Sequence, residues 1–430
     1  MHALLLASLT ALAIGQISAP GASAEDADMQ LTVRRLVRGL DSLRLAERDA
    51  AEASLLELGV PALDFLPPIT DQTPSDVKQR LGRVRQKLEQ LAAAAMGRAS
   101  TVTIPDAAMR LSEVLAAIEK QTGNRLIDAR ARFGHKAADL ELRVDFHDAP
   151  FWQALDSVLD QAGLTVYPYG EECAIYVVSR PEGQAARSGR ACYVGPMRIE
   201  PVLVRAERNL RSQASPLLQL TNEIAWEPRV RPISFEQAMA AVHAQDERGK
   251  PLVLDNSGAT LEIPVEGNRV AASLTYAFQA PARQVEQVAV FRGAVKGLIP
   301  GKVATFRFES LAGVRNVRQR IGGATVTLEH VRRDGEYWAV AIRVRFDEAG
   351  PALQSHRGWI FRNPAYLETA NGARVDVARF ETTRQTENEV GMAYLFESDA
   401  PIEGLCFVYE TPALLLQLEL PYEIKDIPLP

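Results

Sequence analysis

The chain has 430 residues, 47% of them hydrophobic and 24% charged, with a net charge of −6. That length suits about three domains, the apolar share suffices for real cores, and a net negative charge offers no field to hold a phosphate backbone, which argues against a nucleic-acid partner. Three cysteines and six histidines leave little from which to build a thiolate or imidazole metal cluster, and no cofactor is implied.

Residues 3–14 are almost wholly apolar, and residues 18–24 are small and turn-prone, ending Ala22-Ser23-Ala24. This is the pattern of a cleavable secretory signal with the cut before Glu25. The run is shorter than the roughly 20 apolar residues of a membrane anchor, and Ser8, Thr10 and Gln16 interrupt it. No Lys or Arg precedes it, so only the α-amino group and His2 supply positive charge, and no Cys stands beside the cut to take a lipid. Residues 1–24 are thus expected to be a signal peptide. The rest is expected to be exported, periplasmic or extracellular, and soluble, with no transmembrane segment.

Residues 25–98 predict helical hairpins. Val33, Leu36, Val37 and Leu40 repeat at helical spacing and line one apolar stripe. A second helix over 48–58 stops at Gly59, where a left-handed cap is required, before Val60-Pro61. Pro67-Pro68 breaks the chain, and Thr73-Pro74 opens a third helix carrying Val77, Leu81, Val84, Leu88 and Leu91. The run LDSLRLAERDAAEASLLELGVPALDFLPPI at 40–69 resembles a HEAT-type helical repeat, which implies a docking or spacer element. One such repeat cannot bury both its faces alone.

From 99 to 180 two similar halves superpose at an offset of 40 residues. Leu111, Val114, Leu115, Ile118, Gly123 and Leu126 fall on Phe151, Ala154, Leu155, Val158, Gly163 and Val166. Each half reads as an amphipathic helix ending near Gly, then a strand, with strands at 140–146, 164–167 and 174–178. The stretches LSEVLAAIEKQTGNRLI and VDFHDAPFWQALDSVLDQAGLTVYPYGEECAIYVV are similar to the short N-terminal domain of secretins and TonB-dependent receptors. That likeness implies a small periplasmic αβ module that meets partner proteins or further copies of itself.

Residues 181–190 are polar and rich in Gly and Pro, which marks a linker. Beyond it the chain turns β-rich. Asp334-Gly335 and Asn371-Gly372 are hairpin signals, and Trp338, Val340, Ile342, Val344 and Phe346 alternate as in a strand with one buried face. A helix is expected at 234–244 after Pro232. Two units are therefore expected, a β-rich domain at 191–290 and a β-sandwich at 291–430. The fold class is multidomain α+β, made of N-terminal helical hairpins, a small αβ domain and a C-terminal antiparallel β-sandwich region.

No Walker, GxGxxG, GxSxG or HExxH pattern occurs. His147-Asp148 reads as a base with its orienting carboxylate or, more simply, as a strand end followed by an Asp that caps the next helix. Ser355 and His356 are adjacent, so in a strand they face opposite sides and cannot form a nucleophile–base pair. His356, Arg357, Trp359 and Asn363 are instead the candidate ligand-binding residues, since aromatic faces and forked donors suit sugars or carboxylates; an ordinary sheet edge is the plainer reading. Glu381, Glu387, Glu389, Glu397 and Asp399 supply oxygen ligands without the spacing of a calcium loop, and Arg315, Arg318 and Arg320 are placed to neutralise them across a sandwich. Three thiols in an exported chain allow one disulfide, with Cys173 and Cys192 the better pair; buried single thiols fit equally.

No catalytic residue, metal or cofactor is indicated. The leading expectation is a non-enzymatic envelope protein that binds a protein or envelope polymer, with self-association through the αβ domain. The alternatives are a hydrolase acting on a cell-wall or polysaccharide substrate through two carboxylates, and a subunit of an export or uptake assembly.

Overall fold

The computed structural model describes residues 24–67, 69, 73–186, 191–208, 210–211, 216–265, 267–346, 358–386 and 388–430. The expected signal peptide, apart from Ala24, lies outside them. The chain is mixed α+β with mostly antiparallel sheets, and it divides into two compact units, one up to Gln86 and one from Lys87 onwards. Among the described residues no helix is long and apolar enough to cross a membrane.

In the first unit, helices α1 (Ala24–Gly39) and α2 (Leu45–Glu57), a 3-10 turn (Val60–Phe65) and the start of α3 (Ser75–Met96) follow one another. Val33, Leu40, Leu55, Leu63, Leu66, Leu81 and Val84 are buried. Gly59 takes the left-handed conformation its position requires, at φ 73°. A polar clasp joins α2 to α3. Arg80 Nη1 lies 2.8 Å from both Asp49 Oδ1 and Glu52 Oε2, and the Arg83 fork takes both Glu52 oxygens at 2.9 and 2.8 Å.

The second unit begins with an αβ module: β1 (Thr101–Arg110), α4 (Leu111–Thr122), β2 (Leu126–Asp128), β3 (Glu141–Pro150), α5 (Phe151–Ala162), β4 (Leu164–Tyr167) and β5 (Ile175–Ser179). The offset of 40 residues holds in three dimensions. Each long strand runs directly into a twelve-residue helix that ends on a left-handed glycine, Gly123 or Gly163, and β1 pairs antiparallel with β3. The remaining strands form a sheet in the order β2-β5-β4. One local expectation fails: α5 is capped by Pro150 without a side-chain bond. Asp148 sits two residues earlier at φ 49° and bonds the Thr103 hydroxyl instead.

The β-rich remainder holds β6 (Cys192–Val194), β7 (Met197–Glu207), β8 (Leu217–Trp226), β9 (Ser234–Ala238), β10 (His243–Asp246), β11 (Thr260–Pro264), β12 (Ala271–Gln279), β13 (Gln287–Phe308), β14 (Arg315–Ile321), β15 (Ala324–Asp334), β16 (Tyr337–Phe346), β17 (Ala365–Thr369), β18 (Arg374–Asp376), β19 (Arg379–Gln385), β20 (Glu389–Glu397) and β21 (Leu405–Pro428). The helix expected at 234–244 is two strands joined by a 3-10 turn at Met239–Ala241. Phe235 and Met239 fit a helical stripe, but pairing of β9 with β11 and β13 decides the conformation.

The boundary expected near residue 290 is also overturned. Strands β13 and β21 pair along their whole lengths, from Gln287↔Pro428 to Phe308↔Phe407, and this one ribbon serves two cores. Its first half, with Val288, Phe291, Val295, Leu420 and Ile424, packs on the sheet β12-β8-β7-β6. Its second half, with Phe306, Phe308, Phe407 and Tyr409, packs on the sheet β14-β15-β16-β20-β19. Val340, Ile342, Val344 and Phe346 enter that second core as their alternation predicts, although Ala339 and Ala341 on the other face are covered too. Where the ribbon passes from one core to the other, Leu414 adopts φ 52° and donates its N–H to Gly322 O at 2.7 Å.

Two sealed polar clusters fasten the αβ module to the first sandwich. Arg198 of β7 pairs with Asp156 of α5 at 2.8 Å, while Trp152 Nε1 donates to Pro196 O at 3.1 Å. Glu227, wholly buried, accepts from the Ser100 N–H and hydroxyl at 3.0 and 2.6 Å and from Asn124 Nδ2 at 3.0 Å.

Candidate functional site

A broad concavity arises where two sheets end. Strand β6 covers β7 only as far as Ile199, and β17 covers β21 only from Leu405 to Tyr409. Beyond those points, among the described residues, each strand is paired on one side alone. Proline placement agrees, since a residue that cannot donate to a ladder is tolerated at an edge: Pro201 stands in β7, and Pro412, Pro421 and Pro428 stand in β21.

Both edges are irregular where they approach. A register shift between Pro201 and Leu203 leaves Val202 out of the ladder, and the two adjacent apolar side chains Val202 and Leu203 are 47% and 49% exposed. On β21, Asp426 at φ 54° interrupts the pairing between Lys425↔Val290 and Ile427↔Val288. Bulges of this kind re-aim side chains and often stand beside binding sites.

Between the edges lies a cleft of about 970 Å³ lined by residues 200–204 of β7, 423–428 of β21 and Gln184, Ala185, Ala186 and Ala191 of the connecting segment. Among the described lining residues the charged ones are Glu200, Glu423, Asp426 and Lys425. Lys425 Nζ stands 3.2 Å from Glu423 Oε1, and Glu200 Oε2 is 3.9 Å from the buried Arg198 Nε. Among the described lining residues there is no Ser, Cys or His. The arrangement offers two strand edges with apolar rims, and its carboxylates Glu423 and Glu200 are engaged by Lys425 and Arg198.

A smaller pocket of about 430 Å³ lies between the αβ module and the sandwich, bordered by Arg125, Cys173, Arg229 and Arg231. Two of its guanidiniums are already engaged, Arg125 with Glu172 and Arg229 with Glu227, both at 2.5 Å. Burial pushes the Cys173 thiol up in spite of the nearby Arg231, so it is no activated thiolate. All three cysteines are free. The Cys173–Cys192 bridge the sequence allowed is not made: Cys173 donates to Pro228 O at 3.5 Å and packs on the αβ core, whereas Cys192 packs on the first sandwich core.

The other expected site residues are scattered or absorbed into packing. His356 and Arg357 lie outside the described residues. Trp359 is only 8% exposed and meets Phe346 edge-on at 5.6 Å in the second core, so it offers no stacking face. Asn363 Nδ2 donates to Tyr409 Oη and Thr411 Oγ1 at 2.9 and 2.8 Å. His147 bonds Asp145 at 3.0 Å on the surface, not Asp148. Arg315, Arg318 and Arg320 stand on β14, whereas Glu381 stands on β19 and Glu389 and Glu397 on β20 of the same sheet, with β15 and β16 between them, so they are not placed to neutralise one another across a sandwich. Among the described residues no group of His, Cys, Asp and Glu is gathered to hold a metal; Glu389 faces Arg343 and Arg384 instead, and Glu387 lies outside the described residues.

Sequence reasoning missed the cleft because an open edge is a property of a sheet, not of one strand. The available signal was the set of prolines inside otherwise strand-like segments. No protein-family model and no curated protein matches this chain.

Proposed function

We propose that this is an exported cell-envelope protein that binds a protein or envelope polymer without transforming it, the ligand being held in the cleft between β7 and β21. The observation that carries the reading is the composition of that cleft: two half-paired strand edges with apolar rims and, among the described lining residues, no Ser, Cys or His. The apolar segment ending Ala22-Ser23-Ala24 supports export. The likeness of residues 99–180 to the periplasmic module of secretins and TonB-dependent receptors supports an envelope setting and self-association, and the HEAT-like hairpins support a docking role.

Glu200 and Glu423 in one cleft favour a second reading, hydrolysis of a cell-wall or polysaccharide substrate. Both carboxylates are engaged within the chain, Glu423 by Lys425 at 3.2 Å and Glu200 by Arg198 at 3.9 Å, so neither stands free to face a substrate. Binding is therefore the better-supported function.

The test places a photo-crosslinking residue at Val202 in the full chain expressed in its own cell, with a second at exposed Phe380 on β19 as reference. A discrete partner captured at Val202, and a mature N-terminus at Glu25, are the expected results. Release of soluble fragments from cell-wall polymer, abolished by Glu200→Gln, would replace binding with hydrolysis.

A further inference from the structure

We infer that the free end of the first helical hairpin touches a membrane: Leu43 and Leu45 enter the headgroup region of an anionic phospholipid bilayer, and Arg34, Arg35 and Arg38 hold its phosphates. This attachment is independent of what fills the cleft. Helix α1 ends at Gly39 and α2 begins at Leu45, so the turn between them is one end of the hairpin. The turn is pinned. Leu40 is buried in the core of the first unit, Arg48 Nη1 donates to Ser42 O at 2.8 Å, and the Ser42 hydroxyl bonds the Glu47 carboxylate and accepts the Arg44 N–H at 3.2 Å. From this fixed backbone Leu43 is 100% exposed and Leu45 58% exposed. A single exposed apolar residue is ordinary on a surface, but here two leucines share a held turn with a group of cations.

Arg34, Arg35 and Arg38 are exposed on the last two turns of α1, and among the described residues none of them pairs with a carboxylate. Arg44 and Arg48 are taken by Glu47 and Asp76 and add nothing to the count. Against the three free cations the turn sets one exposed acid, Asp41. The acidic residues of α1, Glu25, Asp26 and Asp28, stand in its first turns, with Asp28 roughly 15 Å along the axis from Arg38. The hairpin is therefore cationic at the end that carries the exposed leucines.

That combination selects a bilayer over a protein. A stable protein interface covers about 800 Å² on each partner with matched shape, whereas two leucines on a turn make a point contact. A bilayer needs no matched shape. An apolar side chain gains by entering below the headgroups, guanidinium forks take phosphate in pairs of bonds, and the long arginine stems let the charges stay at headgroup level. Apolar insertion and attraction to anionic lipid, each weak alone, together give reversible attachment.

Vesicle flotation tests this, with the mature chain purified from its own cell so that the apolar run at 3–14 adds no lipid contact. Vesicles of equal parts phosphatidylglycerol and phosphatidylcholine should bind it at least about tenfold more tightly than phosphatidylcholine alone, and less tightly as salt is added. Arg34→Gln with Arg35→Gln and Arg38→Gln should lose about tenfold. Leu43→Ser should lose about tenfold as well, its residual binding still sensitive to salt. Both variants change exposed side chains, and circular dichroism verifies that they remain folded. Leu210→Ser, at a leucine 90% exposed elsewhere in the chain, should leave flotation unchanged. Failure to float with the anionic vesicles, equal binding to the two kinds of vesicle, or equal losses at Leu43 and Leu210 overturns the inference. So does capture of one discrete protein, without lipid, by a photo-crosslinking residue at Leu43, which would give the tip to a protein partner.

Discussion

Arg198 and Asp156 form an ion pair sealed from water, with Nη1 2.8 Å from Oδ1 and side chains 0% and 1% exposed. Asp156 also accepts the Tyr193 hydroxyl at 2.8 Å, and the guanidinium lies 4.4 Å from the centre of the Trp152 ring. Burial, then Asp156, pushes the Tyr193 hydroxyl far above its ordinary range, so it remains a donor. These contacts tie α5 to the outer face of β7, the strand that forms one wall of the cleft.

A buried pair of this kind costs most when half of it is removed, because the remaining charge is left without compensation. Asp156→Ala is expected to destabilise by about 3–5 kcal/mol, whereas Asp156→Leu combined with Arg198→Met should recover most of the loss. Denaturant unfolding followed by tryptophan fluorescence checks this, since Trp152 and Trp226 lie in this part of the molecule and are almost fully buried. A loss below about 1 kcal/mol in the single variant would show the pair to be solvated.

The first unit carries an acid-sensitive contact. The Arg83 fork, opposed by some desolvation and aided by Arg80, holds the Glu52 carboxyl below its ordinary value of 4.5. A carboxyl depressed on folding adds stability above its unfolded value, and that contribution is lost as pH falls through the folded one. The clasp between α2 and α3 should therefore weaken as pH drops below about 4, and Glu52→Gln should weaken it at neutral pH and remove the acid dependence. Hydrogen exchange of peptides from 45–57 and 75–86, compared between wild type and variant at each pH, reads this directly. Parallel exchange curves for the two proteins across the acid range would remove Glu52 from the account.

Local order was legible wherever the signal was local. Helices α4 and α5 and their left-handed glycines follow from apolar spacing and two Gly residues 40 positions apart, and Gly372 and Gly335 mark hairpin turns. The second turn is shifted by one residue, with Asp334 paired to Tyr337. What failed depends on distant partners. Residues 234–244 carry a stripe that suits either period, and β11 and β13 settle it. Strands as long as β13 and β21 exceed the usual range, and each is specified by the other more than a hundred residues away. Among the expected ligand residues, Trp359 and Asn363 are polar or amphipathic groups used for packing, a role their identities do not reveal. The cleft needed knowledge of which strand has no neighbour.

Asn222 links the core to that cleft. It lies on the inner face of β8 between Leu220 and Ile224, paired across the sheet with Pro201 at the cleft rim. It is fully buried, and among the described residues neither its amide nitrogen nor its oxygen has a partner. An unsatisfied buried polar group costs about 1–3 kcal/mol, and replacement by an apolar group of similar shape removes the cost. Asn222→Leu is therefore expected to raise stability by about 1 kcal/mol or more, measured by denaturant unfolding. The same variant separates two reasons for keeping the amide. If stability rises and capture at a Val202 crosslinker is unchanged, Asn222 is a tolerated defect of the core. If stability rises while that capture falls, the amide positions the Pro201 edge for its ligand, and the destabilisation belongs to function. A loss of stability would show the amide to be satisfied in solution by a buried water, and the argument from its isolation would fall.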